Sequence, residues 1–247
     1  WLNRPDARNA FNEVMLNELI AAFIQEGART DVRAIVLRGK GKVFCAGADL
    51  NWMRDSANEG YDQNYKGSLL LAQCFKTIYK CPKPTLAVVH GAAMGGANGL
   101  LAACDFAFCE ADTNFSFSEV KLGIIPATIA PYIIKRIGEY PARQLMITGQ
   151  QTKGSEAETL RLIDKCFKDI HETEAHLQAT LQLLLSSAPN AVSNCKKMIA
   201  RIVNELSEEE IHDYTAKMIA EARASEEGQE GMAAFLEKRK PNWIPQI

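Results

Sequence analysis

Short apolar runs rich in β-branched residues alternate along this chain with longer stretches whose apolar residues recur at helical spacing. The first kind predicts buried strands and the second amphipathic helices. Ala34 to Arg38 (AIVLR) and Thr85 to Val89 (TLAVV, bounded by Pro82, Pro84 and Gly91) have strand length and composition, and Phe106 to Cys109 is a third such run. Asn114 to Glu119 alternates Phe115 and Phe117 with Asn114, Ser116 and Ser118, as a half-buried strand does. Helical spacing marks Met15, Leu16, Leu19, Ile20 and Phe23, then Met53 to Lys80 in one or two pieces broken near Gly60, and Ala142 to Thr148 before Gly149. From about Glu172 to Arg239 the pattern is almost wholly helical. Pro189 divides two helices there, and Ser207 ahead of Glu208, Glu209 and Glu210 reads as an N-cap with acids in the first turn.

Two strand ends carry turns of a special kind. After Gly91 come small residues, the pair Gly95 and Gly96, then Leu100, Leu101 and a small-residue run to Cys104, which suits a tightly packed helix. A strand that opens a helix through glycines leaves backbone N–H groups unpaired at the positive end of the helix, where they can hold an anion or a developing oxyanion. Upstream, VFCAGADLN (43–51) leaves a strand through Ala46, Gly47 and Ala48, with Asp49 where the dipole favours an acid. Two such turns can aim two N–H donors at one oxygen. Neither is a G-x-G-x-x-G fingerprint, and the chain has no G-x-x-x-x-G-K-[ST] phosphate loop and no G-x-S-x-G nucleophile elbow.

With 247 residues, 47% hydrophobic and 23% charged, the chain suits one soluble globular unit with a substantial core. A net charge of -2 gives no reason to expect nucleic acid or an anionic membrane as partner. Seven cysteines without C-x-x-C spacing read as reduced thiols. His90, His171, His176 and His212 have no metal or triad spacing, so no metal is expected, and His90 reads as a buried, hydrogen-bonded histidine. No apolar run is long enough to cross a bilayer and no signal peptide is visible; the start at Trp1 rather than Met leaves room for a lost leading strand or targeting peptide.

FCAGADL (44–50), KPTLAVVHGAAMGGANGLLAACD (83–105) and FSFSEVKLGIIPA (115–127), taken together, resemble the crotonase (enoyl-CoA hydratase/isomerase) superfamily. The resemblance covers roughly Leu2 to Thr148, with a weaker match at EGMAAFLEKRKP (230–241). It implies an α/β fold: a crotonase spiral of ββα units over 1–171, then a helical trimerisation region over 172–247. It implies an acyl-CoA thioester substrate, with CoA part of that substrate and no separate cofactor. The N–H groups of Ala48 and Gly96 would form the oxyanion hole, and Glu119 would face the Cα–Cβ region as acid and base. Ala10, Ala46, Asp49, Leu50 and Asn51 would line the substrate and CoA site beside them, and Lys238 would reach the CoA phosphates, the alternative being a favourable positive helix end. Arg8 is either a CoA contact or a solvated charge; Trp52 and Met53 are either acyl-pocket wall or ordinary core. A homotrimer or hexamer is implied, with neither nucleic acid nor membrane as partner. The expected compartment is the bacterial cytoplasm or, behind a lost transit peptide, the mitochondrial matrix.

One position departs from the pattern. Typical hydratases of this superfamily carry a second glutamate on the central helix, three residues after the oxyanion-hole glycine, where this chain has Gly99. Asn98 beside it could at most hold a water. Glu119, expected among Phe117, Leu122, Ile124 and Ile125, would have its charged form disfavoured by desolvation and so suit proton transfer. A single carboxylate can serve a Δ3,Δ2-enoyl-CoA isomerase, and it can also serve a hydratase by activating water and returning the proton. GADLNWM, the glutamate-free GGANGL helix and SEVKLGIIPATIAPYI resemble hydratases acting on methylglutaconyl-CoA or isohexenylglutaconyl-CoA, in leucine and acyclic terpene breakdown. Hydration is therefore the first reading and isomerisation the second. A non-catalytic or RNA-binding relative is the third, disfavoured by near-neutral charge without a basic stripe.

Overall fold

Thr85 to Val89 becomes the strand that the rest surrounds, and every residue of it is buried. The structure, a computed structural model, describes residues 1–244. In chain order the helices are α1 (Glu13–Ala28), α2 (Leu50–Asn58), α3 (Tyr61–Tyr79), α4 (Ala97–Ala102), α5 (Ala130–Ile137), α6 (Glu139–Thr148), α7 (Gly154–Thr159), α8 (Ile170–Ser186), α9 (Pro189–Asn204), α10 (Glu208–Ala224) and α11 (Glu226–Leu236). The strands are β1 (Ile35–Arg38), β2 (Thr85–Val89), β3 (Ala92–Met94), β4 (Phe106–Glu110), β5 (Asn114–Ser116), β6 (Gln151–Lys153) and β7 (Lys165–Phe167). A four-stranded, all-parallel sheet runs in the order β1-β2-β4-β7, with Val36 opposite Leu86 and Ala87 opposite Ala107. A smaller sheet has the order β3-β5-β6, parallel between β3 and β5 and antiparallel between β5 and β6.

Period-two geometry sends alternate residues of β2 to opposite faces, and both faces are covered. Ala87 and Val89 join the main core with Phe11, Leu16, Phe75, Leu100 and Phe115. Leu86 and Val88 meet Phe108 and Leu177, the latter from α8. The first helix after residue 169 is thus a layer over the main sheet, held at its start by the Asp169 side chain, which accepts from the His171 and Glu172 N–H groups. Each large apolar side chain buried in these layers is worth about 1.5–3 kcal/mol.

Several sequence expectations stand and two change. Ser207 and Glu210 form the expected capping box, with the Ser207 N–H 2.9 Å from Glu210 Oε2. The strand expected over Asn114 to Glu119 ends at Ser116, and Ser118–Leu122 is a 3₁₀ turn, so Glu119 sits on helical backbone. β3 and β6 were invisible in the pattern because three-residue strands with Ala, Met, Gln and Lys carry no β-branched run. Among the described residues, no helix is long and apolar enough to cross a membrane.

Asp105, at the far end of α4, ties three elements together. Its Oδ2 accepts from the Thr85 N–H (2.8 Å), the Thr85 hydroxyl (3.0 Å) and the Lys196 ammonium (2.6 Å), joining the start of β2 to α9. Replacing Asp105 by Ala removes these charge-assisted bonds and is expected to lower stability by about 3 kcal/mol, read from urea unfolding midpoints at unchanged slope.

Candidate active site

An isolated backbone bridge onto β3 lays the two special turns side by side. Cys45 bridges Ala93 in parallel: the Cys45 N–H donates to Ala92 O and the Met94 N–H to Cys45 O, both at 3.1 Å. The turns then touch at Gly47, where a Cβ would lie 2.7 Å from the Met94 carbonyl oxygen and φ is 93°. Only glycine fits both conditions. On the first turn the Ala46 N–H donates to Arg8 O, and the Asp49 N–H to Phe11 O. On the second, the Gly95 N–H donates to Ser116 O at 2.8 Å. The N–H groups of Ala48 and Gly96 between these anchors have no acceptor among the described residues.

Glu119 lies against the second turn. Gly95 has φ 52°, and a Cβ there would be 3.1 Å from Glu119 Oε1, so the absent side chain is what admits the carboxylate. Glu119 is half-buried, and its Oε2 is shielded from solvent with no hydrogen-bond partner among the described residues. Burial raises its pKa above the ordinary carboxylate value. The expected wall differs: Phe117 is buried, but Leu122, Ile124 and Ile125 are 61%, 53% and 73% exposed. Leu122 ends the 3₁₀ turn and Ile124 and Ile125 follow its left-handed cap, Gly123, leaving the Gly95 turn as the surface against which the carboxylate packs.

The remaining candidates fall into three groups. Ala46 and Asp49 belong to the first turn, and Arg4 ties Ala10 to it, donating to the Ala10 carbonyl and pairing with Asp49 Oδ2 at 2.9 Å. Asp49 Oδ1 accepts from the Asn51 N–H at 2.9 Å and caps α2, which holds its carboxyl below the usual range. Leu50 and Asn51 open α2 and are exposed. Lys238 stands apart, exposed in left-handed backbone after α11. Arg8 enters through its backbone carbonyl, and Trp52 packs edge-on against Phe11 at 6.1 Å and beside Gly67, as core does. His90 is half-buried with Nε2 2.9 Å from Gly41 O. Burial pushes the Cys45 thiol up to about 12, so it stays neutral and accepts from the Gly47 N–H.

Residue spacing did not disclose three features. Arg4 was missed, although an arginine beside Pro5 in the leading loop was the available signal. Gly99 is not an open space: a Cβ there would lie 2.4 Å from Ile129 Cγ2 and 2.8 Å from two Phe75 ring carbons. Those side chains fill the volume into which a second acid would project. Asn98 is fully buried, and its amide nitrogen donates to the carbonyls of Ala93, Gly95 and Ser116. A cavity of about 460 Å³ lies elsewhere, lined by Tyr79, Cys104, Tyr132, Lys196 and Ile199 beneath α9, at the opposite end of α4 from Gly96.

An unpaired carboxylate beside two convergent turns with free N–H groups can move a proton next to a carbonyl whose oxygen those N–H groups accept. Comparison with known proteins agrees with this chemistry. A family profile described as enoyl-CoA hydratase/isomerase matches residues 1–246. The enoyl-CoA hydratase ACTT6 of Alternaria alternata is 34% identical over 236 residues, covering 95% of this chain and 76% of that protein. A peroxisomal Delta(3,5)-Delta(2,4)-dienoyl-CoA isomerase of Arabidopsis thaliana is 31% identical, covering 98% and 90%. The crystal structure of an enoyl-CoA hydratase from Shewanella pealeana superposes with a TM-score of 0.93 at 38% identity, covering 98% of this chain and 90% of that one. The chain belongs to the enoyl-CoA hydratase/isomerase family of the crotonase superfamily, as its turn motifs implied.

Because folding raises the pKa of Glu119, the native state holds its proton to higher pH than the unfolded chain, and this group subtracts stability as pH rises from the ordinary carboxylate range through the raised value. Glu119→Gln is therefore expected to melt above the parent at neutral pH, with the gap closing on acidification below that range. Parallel melting curves against pH check this.

Proposed function

We propose that this protein is an enoyl-CoA hydratase that adds water across the α,β double bond of an acyl-CoA thioester, with a methylglutaconyl-CoA-like substrate. The observation that carries the reading is Glu119, a half-buried carboxylate with a free Oε2, set beside the Gly95–Gly96 turn. In this mechanism the carboxylate takes a proton from water as the water oxygen bonds to Cβ. The π electrons move to the thioester, and its oxygen becomes an enolate held by the Ala48 and Gly96 N–H groups. Glu119 then returns the proton to Cα, so one hydroxyl and one hydrogen are added and the carboxylate is regenerated. Each oxyanion donor in such a site is worth about 3 kcal/mol in the transition state. The substrate assignment is supported by the GADLNWM and SEVKLGIIPATIAPYI segments and the glutamate-free central helix.

A second reading, Δ3,Δ2-enoyl-CoA isomerisation, is favoured by Phe75 and Ile129 packed where a second acid would project from Gly99. Moving a proton from Cα to Cγ needs one base and no water. Crotonyl-CoA, methylglutaconyl-CoA and a 3-enoyl-CoA, offered in parallel to the parent and to Glu119→Gln, separate the two. Hydration predicts loss of enoyl-thioester absorbance with an 18 Da gain on methylglutaconyl-CoA, reduced about a thousandfold in the variant. Isomerisation of the 3-enoyl thioester without mass change, and no hydration of the other two, would overturn it.

The proposed assembly is a homotrimer or hexamer. It is supported by large apolar side chains left outside on the C-terminal helices: Val203 (64% exposed), Phe235 (82%) and Leu236 (78%). Sedimentation equilibrium is expected to give three or six times the chain mass of 27.3 kDa.

A further inference from the structure

Asn98 places a polar amide inside the core at the second turn. It is fully buried, and its Oδ1 has no hydrogen-bond partner among the described residues. What the amide does accomplish is specific. Its nitrogen donates to Gly95 O and Ser116 O at 2.9 Å each, and to Ala93 O at 3.3 Å. Three carbonyl oxygens around one terminal group can be met only by the NH₂ end, which fixes the orientation of the side chain.

The Gly95 carbonyl and the Gly96 N–H are the two ends of one planar peptide unit. A donor on the carbonyl end sets the plane and polarises the N–H end, making it a better donor. Gly95 O accepts from Asn98 twice, through the side chain and through the Asn98 N–H at 3.0 Å. Ser116, the third partner, ends the strand that leads into the Glu119 turn. We propose that Asn98 is a positioning residue, which aims and polarises the Gly96 N–H and holds it in register with the segment carrying Glu119. This rests on the reading of Gly96 as an oxyanion donor.

Three variants separate positioning from packing. Asn98→Leu keeps the branched shape and removes the side-chain donors while the backbone N–H of residue 98 still serves Gly95 O, so kcat is expected to fall about tenfold with KM within about twofold, because a misaimed donor is missed chiefly in the transition state. Asn98→Ser and Asn98→Ala both leave a cavity and differ by one hydroxyl, which can donate to the carbonyl three residues back, Gly95 O. Asn98→Ser is expected to keep severalfold more kcat than Asn98→Ala at similar stability. Infrared difference spectra of a bound, ¹³C-labelled enoyl thioester provide a readout that packing does not move. The carbonyl stretch shifts to low frequency in the parent, and the shift shrinks in the Leu and Ala variants and partly recovers in Ser. Equal kcat and equal carbonyl shift in the Ser and Ala variants, or parent-like values in Leu, would overturn the proposal. A parent that shifts the bound carbonyl yet turns over no enoyl-CoA counts against the proposed reaction alone, because the shift still judges Asn98. A parent that binds no thioester, or binds it with no shift, overturns both.

Discussion

The parallel bridge between Cys45 and Ala93 is the constraint on which the site depends. Each turn by itself is an ordinary way for a strand to end, and a single free N–H at a helix start is common. Pairing at Cys45 and Ala93 brings two such ends into contact, to the point that Gly47 packs on the Met94 carbonyl with no room for a Cβ. The anchors on either side of Ala48 and Gly96 are backbone hydrogen bonds into Phe11 and Ser116, so the free N–H groups are left over by the pairing scheme and not held open by flexible side chains. A site built this way is rigid before any ligand arrives, which is the condition under which fixed dipoles stabilise developing charge most effectively.

Two polar groups at this point are held against their own solvation. Glu119 is buried enough to raise its pKa and keeps an unpaired oxygen; Asn98 is buried entirely and keeps another. Burying either polar group works against stability, so a core chosen for stability alone would place apolar side chains at both positions. The surrounding layers supply the offset: all five residues of β2 are buried, Phe75, Phe115 and Phe117 are fully or almost fully enclosed, and α8 closes the second face of the sheet. Local sacrifice is tolerated where the scaffold is over-determined.

Packing also shapes the acid side of the site. At Gly99, Phe75 and Ile129 occupy the volume so closely that even a methyl group would have to displace them. The glycine is thus a consequence of the core around it as much as a missing acid. Restoring a carboxylate there requires repacking α3 and the segment leading into α5, because Phe75 lies on the one and Ile129 at the start of the other. In the proposed reactions the proton chemistry falls to Glu119, and they are those that one carboxylate can carry.

Much of this was legible along the chain, and the limits have a physical cause. The β2 strand, the two glycine turns, the Ser207 cap and the family follow from local signals: β-branched runs, glycines at strand ends, a capping residue three before an acid. Such signals act within a few residues, so the chain alone determined the longer strands and helices, the two turns and the place of Glu119 in the sequence. Tertiary structure alone decided that Glu119 rides on a 3₁₀ turn against Gly95, that Leu122, Ile124 and Ile125 face outward, that Phe75 and Ile129 fill the space at Gly99, and that Asn98 binds three carbonyls from two segments. Each of these depends on side chains meeting backbone far away in sequence, and no local periodicity encodes which distant surface a buried group will touch.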